Sequence, residues 1–259
     1  MKTKTLKAWI AISQLMAVWQ FPAVVATVML LLVGRNANAQ VTVLALGGGS
    51  PTAPYYGYND GTTLYAKFHT PSGLALDSSG TELLVADRDN SRIRVVDLVG
   101  GQTGDLIVTY TNLINKPIAV AADAYDDVYV LNTNGSIYTF DCNIYSPSYG
   151  EVITNALNLN HATGMALDIA DNIYVTVQSN KLIRIAAFSN VQTIIATIPN
   201  TGTSLQGITV KHNGLVAACD AGRNGIYIIN PATGLVTTNA GFHGVGDFIT
   251  NSYTPNILS

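Results

Sequence analysis

The sequence is poor in cysteine and in charge, and each shortage excludes a class of protein. It has two cysteines in 259 residues, too few for a small domain held together by disulfides. Charged residues make up 11% of the chain and hydrophobic residues 48%, which excludes a disordered or coiled-coil protein. No tract keeps a helical period over the ten or so residues that a helix needs. The composition therefore indicates a globular protein without a helical repeat.

The first 39 residues have the features of an export signal. Three lysines precede an apolar tract that is strongest over Ala23–Val33, and Ala37 and Ala39 offer small residues at the cleavage-determining positions. We predict a signal peptide over residues 1–39, cleavage after Ala39, and a secreted or periplasmic protein. The alternative is an uncleaved anchor, because residues 8–33 are long enough to span a bilayer, although two glutamines and a proline interrupt them.

The charge balance changes once the signal is removed. Four of the 13 basic residues and none of the 16 acidic residues lie in residues 1–39, so residues 40–259 carry nine basic residues and a net charge of −7. A protein that binds duplex nucleic acid needs a clustered basic face, and the remaining chain has none. We expect no nucleic-acid partner, and contact with a membrane only through the signal peptide during export.

The chain repeats itself at a spacing of about 45 residues. A short apolar segment, which ends in an aspartate in three of its four copies, recurs at intervals of 46, 45 and 43 residues. The four copies are Ser72–Asp77, Ile118–Asp123, Thr163–Asp168 and Gln206–Lys211. Each copy is followed by a polar turn and by two further apolar runs rich in β-branched and aromatic residues, which are typical of strands.

A fourth, weaker run completes each repeat. We predict these fourth strands at Leu106–Tyr110, Glu151–Thr154, Val191–Ala196 and Leu235–Thr238. Four short strands per repeat, with turn residues between them, predict an all-β protein: a β-propeller of four-stranded antiparallel blades, with the first strand of each blade innermost. The small residues of the first strands fit this interpretation, because the sheets converge at the centre.

One repeat resembles a known family. The stretch from Phe68 to Arg94 places a proline and a glycine before the first strand, an aspartate after it, and then Val-Ala-Asp, an asparagine and Arg-Ile-Arg. This pattern resembles the NHL repeat, and the glycine-rich lead-in over residues 47–68 is similar to that of exported bacterial members. The other three repeats match more loosely. The resemblance implies an NHL-type propeller over residues 40–259.

The resemblance also implies more blades than the chain shows. The family usually closes its ring with six blades, whereas four repeats are visible here. Val41–Leu46 has the pattern of a lone outer strand that would complete a last blade. We therefore expect four blades of a six-bladed ring in a chain incomplete at its C-terminus, with a four-bladed ring as the alternative.

The most charged stretch of the chain, Val85–Val96, has two possible interpretations. Asp87 ends a second strand, so we expect its carboxylate to accept backbone N–H groups of the following turn, with Asn90 in a left-handed conformation. Arg92 and Arg94 would share one face of the third strand. The alternative is an anion site formed by Arg88, Arg92 and Arg94, but a position that defines the repeat favours scaffold.

Candidate ligand-binding residues lie in the loops that enter the first strands. His69, Lys116 and His161 belong to these loops in three successive repeats, which would place them near the mouth of a central channel. Propeller lyases that the family resembles in fold hold a metal with histidines from several blades. A catalytic zinc normally takes three protein ligands, and only two of these positions hold histidine, so we expect no metal and no cofactor. Cys142 and Cys219 fall two blades apart and should be separate thiols.

Two classes of function remain. The first is an exported, non-catalytic propeller that binds a protein, a glycan or a small molecule on its loop face. The second is a propeller enzyme, lyase or lactonase-like, with its site at the channel mouth. The sequence has neither a third loop histidine nor a nucleophile elbow, which favours binding, but the fold supports both classes.

Overall fold

The computed structural model describes residues 54, 56–106, 111–199 and 201–241. The predicted signal peptide and the predicted strand Val41–Leu46 lie outside these residues. The described residues belong to one compact unit, Ala45–Ser259. Their helical segments are two short 3₁₀ turns, Arg88–Asn90 and Thr111–Leu113, and neither has the length or apolar character of a membrane span.

Seventeen strands form four antiparallel sheets in this part of the chain. Blade 1 has five strands: β1 (Gly61–Thr62), β2 (Pro71–Leu76), β3 (Glu82–Asp87), β4 (Arg92–Asp97) and β5 (Gln102–Asp105). Blade 2 contains β6 (Pro117–Ala122), β7 (Asp127–Asn132), β8 (Ile137–Asp141) and β9 (Val152–Ala156). Blade 3 contains β10 (Gly164–Leu167), β11 (Ile173–Val177), β12 (Lys181–Ile185) and β13 (Gln192–Thr197). Blade 4 contains β14 (Leu205–Val210), β15 (Val216–Asp220), β16 (Gly225–Ile229) and β17 (Val236–Gly241).

The four sheets are the blades of a β-propeller, so the predicted fold class is confirmed. Strands in blades 2, 3 and 4 pair in chain order, and the innermost strand of each blade packs against the innermost strand of the next, in the order β2, β6, β10 and β14. The expected ring of six blades stays a prediction.

Three hydrophobic cores between neighbouring blades hold the described residues together. Side chains on a strand alternate between its faces, and strand β7 shows the consequence. Val128 and Val130 pack toward blade 1, whereas Tyr129 and Leu131 pack toward blade 3. A third core joins blades 3 and 4 around Leu205. Each fully buried aliphatic side chain contributes about 1.5–3 kcal/mol, so the interfaces between blades stabilise the array.

Small residues on the innermost strands let neighbouring blades approach closely. A Cβ atom on Gly73 would lie 2.9 Å from the Cα atom of Ala119 in blade 2. A Cβ atom on Gly164 would lie 2.4 Å from the carbonyl oxygen of Gln206 in blade 4. Both distances are shorter than a carbon atom can occupy without displacement of its neighbour. The expected convergence of the sheets is confirmed.

Blade 1 differs from the prediction at its outer edge. Its fourth strand is β5, Gln102–Asp105, so the prediction of Leu106–Tyr110 is wrong in its bounds, and residues 107–110 lie outside the described part of the chain. A short fifth strand, β1, pairs with β5, with Gly61 opposite Thr103. Gly61 and Thr62 of the lead-in therefore belong to the sheet of blade 1.

The connections between strands form two opposite faces of the propeller. The loops that enter the first strands and those between second and third strands form the entrance face, at 66–70, 88–91, 113–116, 133–136, 157–163, 178–180, 201–204 and 221–224. The connections between first and second strands and between third and fourth strands form the turn face, at 77–81, 98–101, 123–126, 142–151, 168–172, 186–191, 211–215 and 230–235.

Candidate functional site

The three predicted site residues all lie on the entrance face, in equivalent loops of blades 1, 2 and 3. The side chain of His69 is half-buried and stacks on Tyr56, with ring centroids 5.0 Å apart. Lys116 and His161 are exposed, and both adopt left-handed backbone conformations, with φ of 48° and 54°. The structure therefore places these side chains at the same end of the molecule, and their role in binding stays a prediction.

A buried polar side chain at the end of the second strand holds the entrance loop in three of the blades. Asp87 accepts the N–H of His69 at 2.7 Å in blade 1. Asn132 accepts the N–H of Asn115 at 2.9 Å in blade 2. Asp220 is the equivalent residue in blade 4, where it accepts the N–H of Ser204 at 2.8 Å. These hydrogen bonds give partners to backbone N–H groups that would otherwise be buried without one, and they fix the backbone of the entrance loops.

In blade 3, hydroxyl groups hold the entrance loop in place of a buried Asp or Asn. Val177 stands where the other blades have Asp or Asn. The hydroxyl groups of Thr163 and Thr176 lie 2.9 Å apart, and each donates to a carbonyl oxygen of blade 4, that of Thr163 to Leu205 at 2.7 Å. The N–H of Gln178 donates to the carbonyl oxygen of Asn160 at 3.2 Å. The loop that carries His161 is therefore tied to its own blade and to the next.

Each arginine of the charged stretch pairs with a carboxylate, as the scaffold interpretation expects. Arg94 is fully buried and forms ion pairs with Asp60, with Asp87 at 3.2 Å and with Asp105 at 3.0 Å. Arg92 pairs with Asp105, and the guanidinium carbons of both arginines lie under 5 Å from the centre of the Tyr58 ring, at 4.7 and 4.8 Å. Arg88 pairs with its neighbour Asp89 at 3.2 Å. A free anion at Arg94 would have to displace these carboxylates, whereas the Arg88 side chain is 40% exposed.

Two details of the predicted turn after Asp87 are wrong. The left-handed residue is Ser91, with φ of 52°, and the side-chain amide of Asn90 bridges the carboxylate of Asp87 and the carbonyl oxygen of Gly57 instead. In blade 1 the Asp87 carboxylate binds the entrance loop rather than backbone N–H groups of the turn. The predicted pattern occurs in blade 4, where Asp220 also accepts backbone N–H groups of the following turn.

The two cysteines are free thiols, as predicted. Burial, together with the nearby carboxylates of Asp127 and Asp141, raises the pKa of the Cys142 thiol to about 12. Cys219 is exposed and borders an open hollow of about 300 Å³ at the entrance end of blade 4. Among the described residues, no group of three or more His, Cys, Asp or Glu side chains is arranged to hold a metal ion.

Sequence reasoning missed an acidic arc on the turn face. When each repeat is considered alone, the aspartate that follows its first strand is explained as a residue that stabilises the turn. In the fold, the N–H of Ser78 in blade 1 donates to Asp126 of blade 2 at 2.9 Å. Burial, followed by the carboxylates of Asp123 and Asp141, raises the pKa of Asp127 to about 6. Burial and then Asp123 of the neighbouring blade raise the pKa of Asp171.

These contacts show that carboxylates of successive blades lie within electrostatic reach of each other. The sequence feature that could have indicated this arc is the recurrence of acidic residues in the turn after the first strand and at the end of the third strand. The members of the arc are Asp77, Glu82, Asp97, Asp123, Asp126, Asp127, Asp141, Asp168 and Asp171.

Comparison with known families places the first repeat. The NHL repeat model matches residues 68–96, which cover the end of the entrance loop, strands β2 and β3, and β4 as far as Val96. Residues 68–96 form an NHL repeat within blade 1. No curated protein matches the chain. In this NHL blade, the aspartate of Val-Ala-Asp is the residue that holds the entrance loop, and the second arginine of Arg-Ile-Arg is its buried partner.

Solved structures share the fold of the NHL blade and its three neighbours. An auxiliary nutrient binding protein from Bacteroides ovatus is 17% identical, with a TM-score of 0.58, over 73% of this chain and 46% of that one. A catalytically inactive virginiamycin B lyase from Staphylococcus aureus, solved with quinupristin, is 18% identical, with a TM-score of 0.52, over 67% and 56%. A structure of a nidogen and laminin complex is 17% identical, with a TM-score of 0.56, over 67% of this chain and 66% of that one. The chain spans about half to two thirds of these structures.

Proposed function

We propose that this protein is an exported, non-catalytic β-propeller that binds its ligand on the entrance face. The observation that carries the proposal is the placement of His69, Lys116 and His161 in equivalent loops of three successive blades. Buried side chains hold the backbone of these loops, and the outer side chains stay accessible. Binding to a rigid surface avoids the cost of ordering a loop.

The chemistry of these side chains favours an anionic ligand. A lysine ammonium group carries a full positive charge, and a histidine donates a hydrogen bond in either protonation state. Carboxylate, sulfate and phosphate groups are the acceptors that such donors bind most strongly. Of the ligand classes left open by the sequence, an anionic glycan combines these groups with the size to reach several blades.

A binding experiment with a defined probe tests the proposal. A heparin-derived oligosaccharide is titrated into the wild-type protein and into the triple variant His69→Ala, Lys116→Ala, His161→Ala, with affinity measured by microscale thermophoresis. We expect the triple variant to bind at least about tenfold more weakly, because it loses three of the donors. The matched control is Lys211→Ala with His212→Ala on the turn face. Equal affinity of the triple variant and the wild-type protein would contradict the proposal.

The enzyme alternative rests on the shared fold with virginiamycin B lyase. The two chains are 18% identical, and fold alone does not carry an activity. Quinupristin is therefore the substrate to try, with mass spectrometry to follow its cleavage. The proposed function predicts no cleavage in the presence of added Mg²⁺ or Zn²⁺, and turnover that His69→Ala abolishes would replace it with the lyase.

Export is a separate part of the proposal. The features that support it are the apolar tract and the small residues before Gln40. Mass spectrometry of the protein from the extracytoplasmic fraction should find Gln40, free or cyclised, at the N-terminus. An intact Met1 in the membrane fraction would show that the segment is an anchor.

A further inference from the structure

The turn face exposes apolar side chains on the connection between third and fourth strands in every described blade. The most exposed of these are Val99 at 82%, Tyr145 at 89%, Phe188 at 99% and Leu235 at 62%. Single exposed apolar residues are ordinary, but here the same connection carries one in each blade. Exposed apolar surface on one face marks an interaction site where a partner can bury it together, and these four side chains belong to equivalent connections of successive blades.

Phe188 is the most unusual of these residues. Its φ of 60° lies in the left-handed region, which a bulky residue adopts only at a cost. The side-chain amide of Asn190 donates to the carbonyl oxygen of Thr154 at 3.3 Å, so the Phe188 loop is held against the fourth strand of blade 2. The fold thus projects an aromatic ring into solvent from an anchored loop. An accessible aromatic ring on an anchored backbone is the type of side chain that dominates binding energy once a partner buries it.

The same face carries the acidic arc. Burial, followed by neighbouring carboxylates, raises the pKa values of Glu82, Asp127 and Asp171, so negative charges within the arc repel each other in the free protein. Among the described connections of this face, Lys211 is the one lysine or arginine. Most other positive residues lie at the entrance end, as Arg88, Lys116, Lys181 and Arg223. Arg184 lies near the turn end of β12, where it and Asp168 both interact with the Tyr174 hydroxyl. The negative potential of the turn face therefore has little internal compensation.

We propose that the turn face is a docking surface for a basic polypeptide segment. Apolar side chains of the segment pack on Tyr145 and Phe188, and its lysine or arginine side chains pair with the acidic arc. Charge complementarity selects this occupant, since an anionic membrane or a nucleic acid would be repelled. The inference goes beyond the proposed function, because it assigns a second partner to the opposite face of the propeller.

A synthetic peptide tests the docking surface. The probe is a fluorescein-labelled amphipathic peptide of lysine and leucine, and binding to the full chain is followed by fluorescence anisotropy at low and at physiological salt. The anchor variant is Phe188→Asn with Tyr145→Asn, since Asn accepts the left-handed backbone of residue 188. We expect it to weaken binding at least about tenfold, as the loss of an aromatic anchor does at other interfaces.

A charge variant isolates the electrostatic part. Asp127→Asn with Asp171→Asn should weaken binding at low salt and flatten its dependence on ionic strength, because fewer charges remain to be screened. The apolar control is Leu157→Asn on the entrance face, where Leu157 is exposed. The peptide control replaces every lysine with glutamate. Circular dichroism spectra that match the wild-type spectrum show that the variants are folded.

Four outcomes would overturn the inference. The first is that the anchor variant binds the lysine peptide as tightly as the wild-type protein does, and the second is that the wild-type protein binds the glutamate peptide equally well. The third is that calcium binds stoichiometrically and displaces the peptide. The fourth is that the wild-type protein is an oligomer and that the anchor substitutions dissociate it. The last outcome would make a second copy of the chain the occupant. The entrance-face triple variant should bind the peptide normally, so failure of this inference and failure of the proposed function are separate results.

Discussion

Substitution of Gly164 by alanine tests whether the blades converge as closely as the fold requires. The added Cβ atom would meet the carbonyl oxygen of Gln206 at 2.4 Å, the Cα atom of Gly207 at 3.2 Å and the hydroxyl of Thr176 at 3.2 Å. Strands β10 and β14 would have to separate. Overpacking of this kind costs about 1–3 kcal/mol, and alanine returns only about 0.4–1 kcal/mol by restricting the unfolded chain.

We therefore expect Gly164→Ala to lower the free energy of unfolding by about 1–2 kcal/mol, or the melting temperature by roughly 2–8 °C. Urea denaturation followed by circular dichroism measures the change. Gly207 is the matched control, because it occupies the same repeat position in blade 4 and its Cβ atom would meet only the sulfur of Cys219, at 3.6 Å. Gly207→Ala should be neutral or slightly stabilising. If Gly164→Ala proves as stable as Gly207→Ala, close approach of the backbones does not limit this position.

Three further predictions concern charge and thiols. Arg94→Met leaves the buried carboxylate of Asp87 without its ion partner, and urea denaturation should show a loss of about 3–5 kcal/mol. The pKa of Asp127 is raised to about 6, so ionisation of this carboxyl destabilises the folded state. Part of the free energy of unfolding is therefore present below the unfolded pKa of 3.8 and is lost as pH rises through 6. Asp127→Asn should therefore raise the free energy of unfolding at pH 8 by about 1 kcal/mol after screening, and leave it unchanged near pH 3. A gain that does not depend on pH would refute this cause. Maleimide should label Cys219 alone in the native protein and both cysteines in denaturant, and mass spectrometry counts the attached labels. Labelling of Cys142 in the native protein would show that its site opens.

The fold could be predicted because each blade restates the same pattern. Second strands such as β7 and β11 are buried on both faces, so they must be largely apolar wherever they occur. Outer strands lack this constraint. Strand β5 has the polar sequence Gln-Thr-Gly-Asp and is held by pairing with β4 and β1, and no hydrophobic pattern marks it.

The entrance face was predictable in part and the turn face was not. Equivalent positions in successive repeats must lie at one end of a propeller, which placed His69, Lys116 and His161 together. The partner of Asp87 could not be predicted, because His69 reaches it only after the entrance loop folds back. The repulsion between Asp127 and Asp171 likewise depends on two turns from different blades lying side by side, and this distance is set by interblade packing rather than by local sequence.

The short strand β1 affects the order in which the molecule can assemble during synthesis. In the described sheets every other strand pairs with strands beside it in the chain, so contacts stay local, and a blade can form soon after its residues are made. Gly61 is different, because its partner Thr103 belongs to β5, the last strand of blade 1. The segment that covers Arg94 therefore docks only after the rest of its blade exists. The chain's earliest described strand is the one that completes the first sheet.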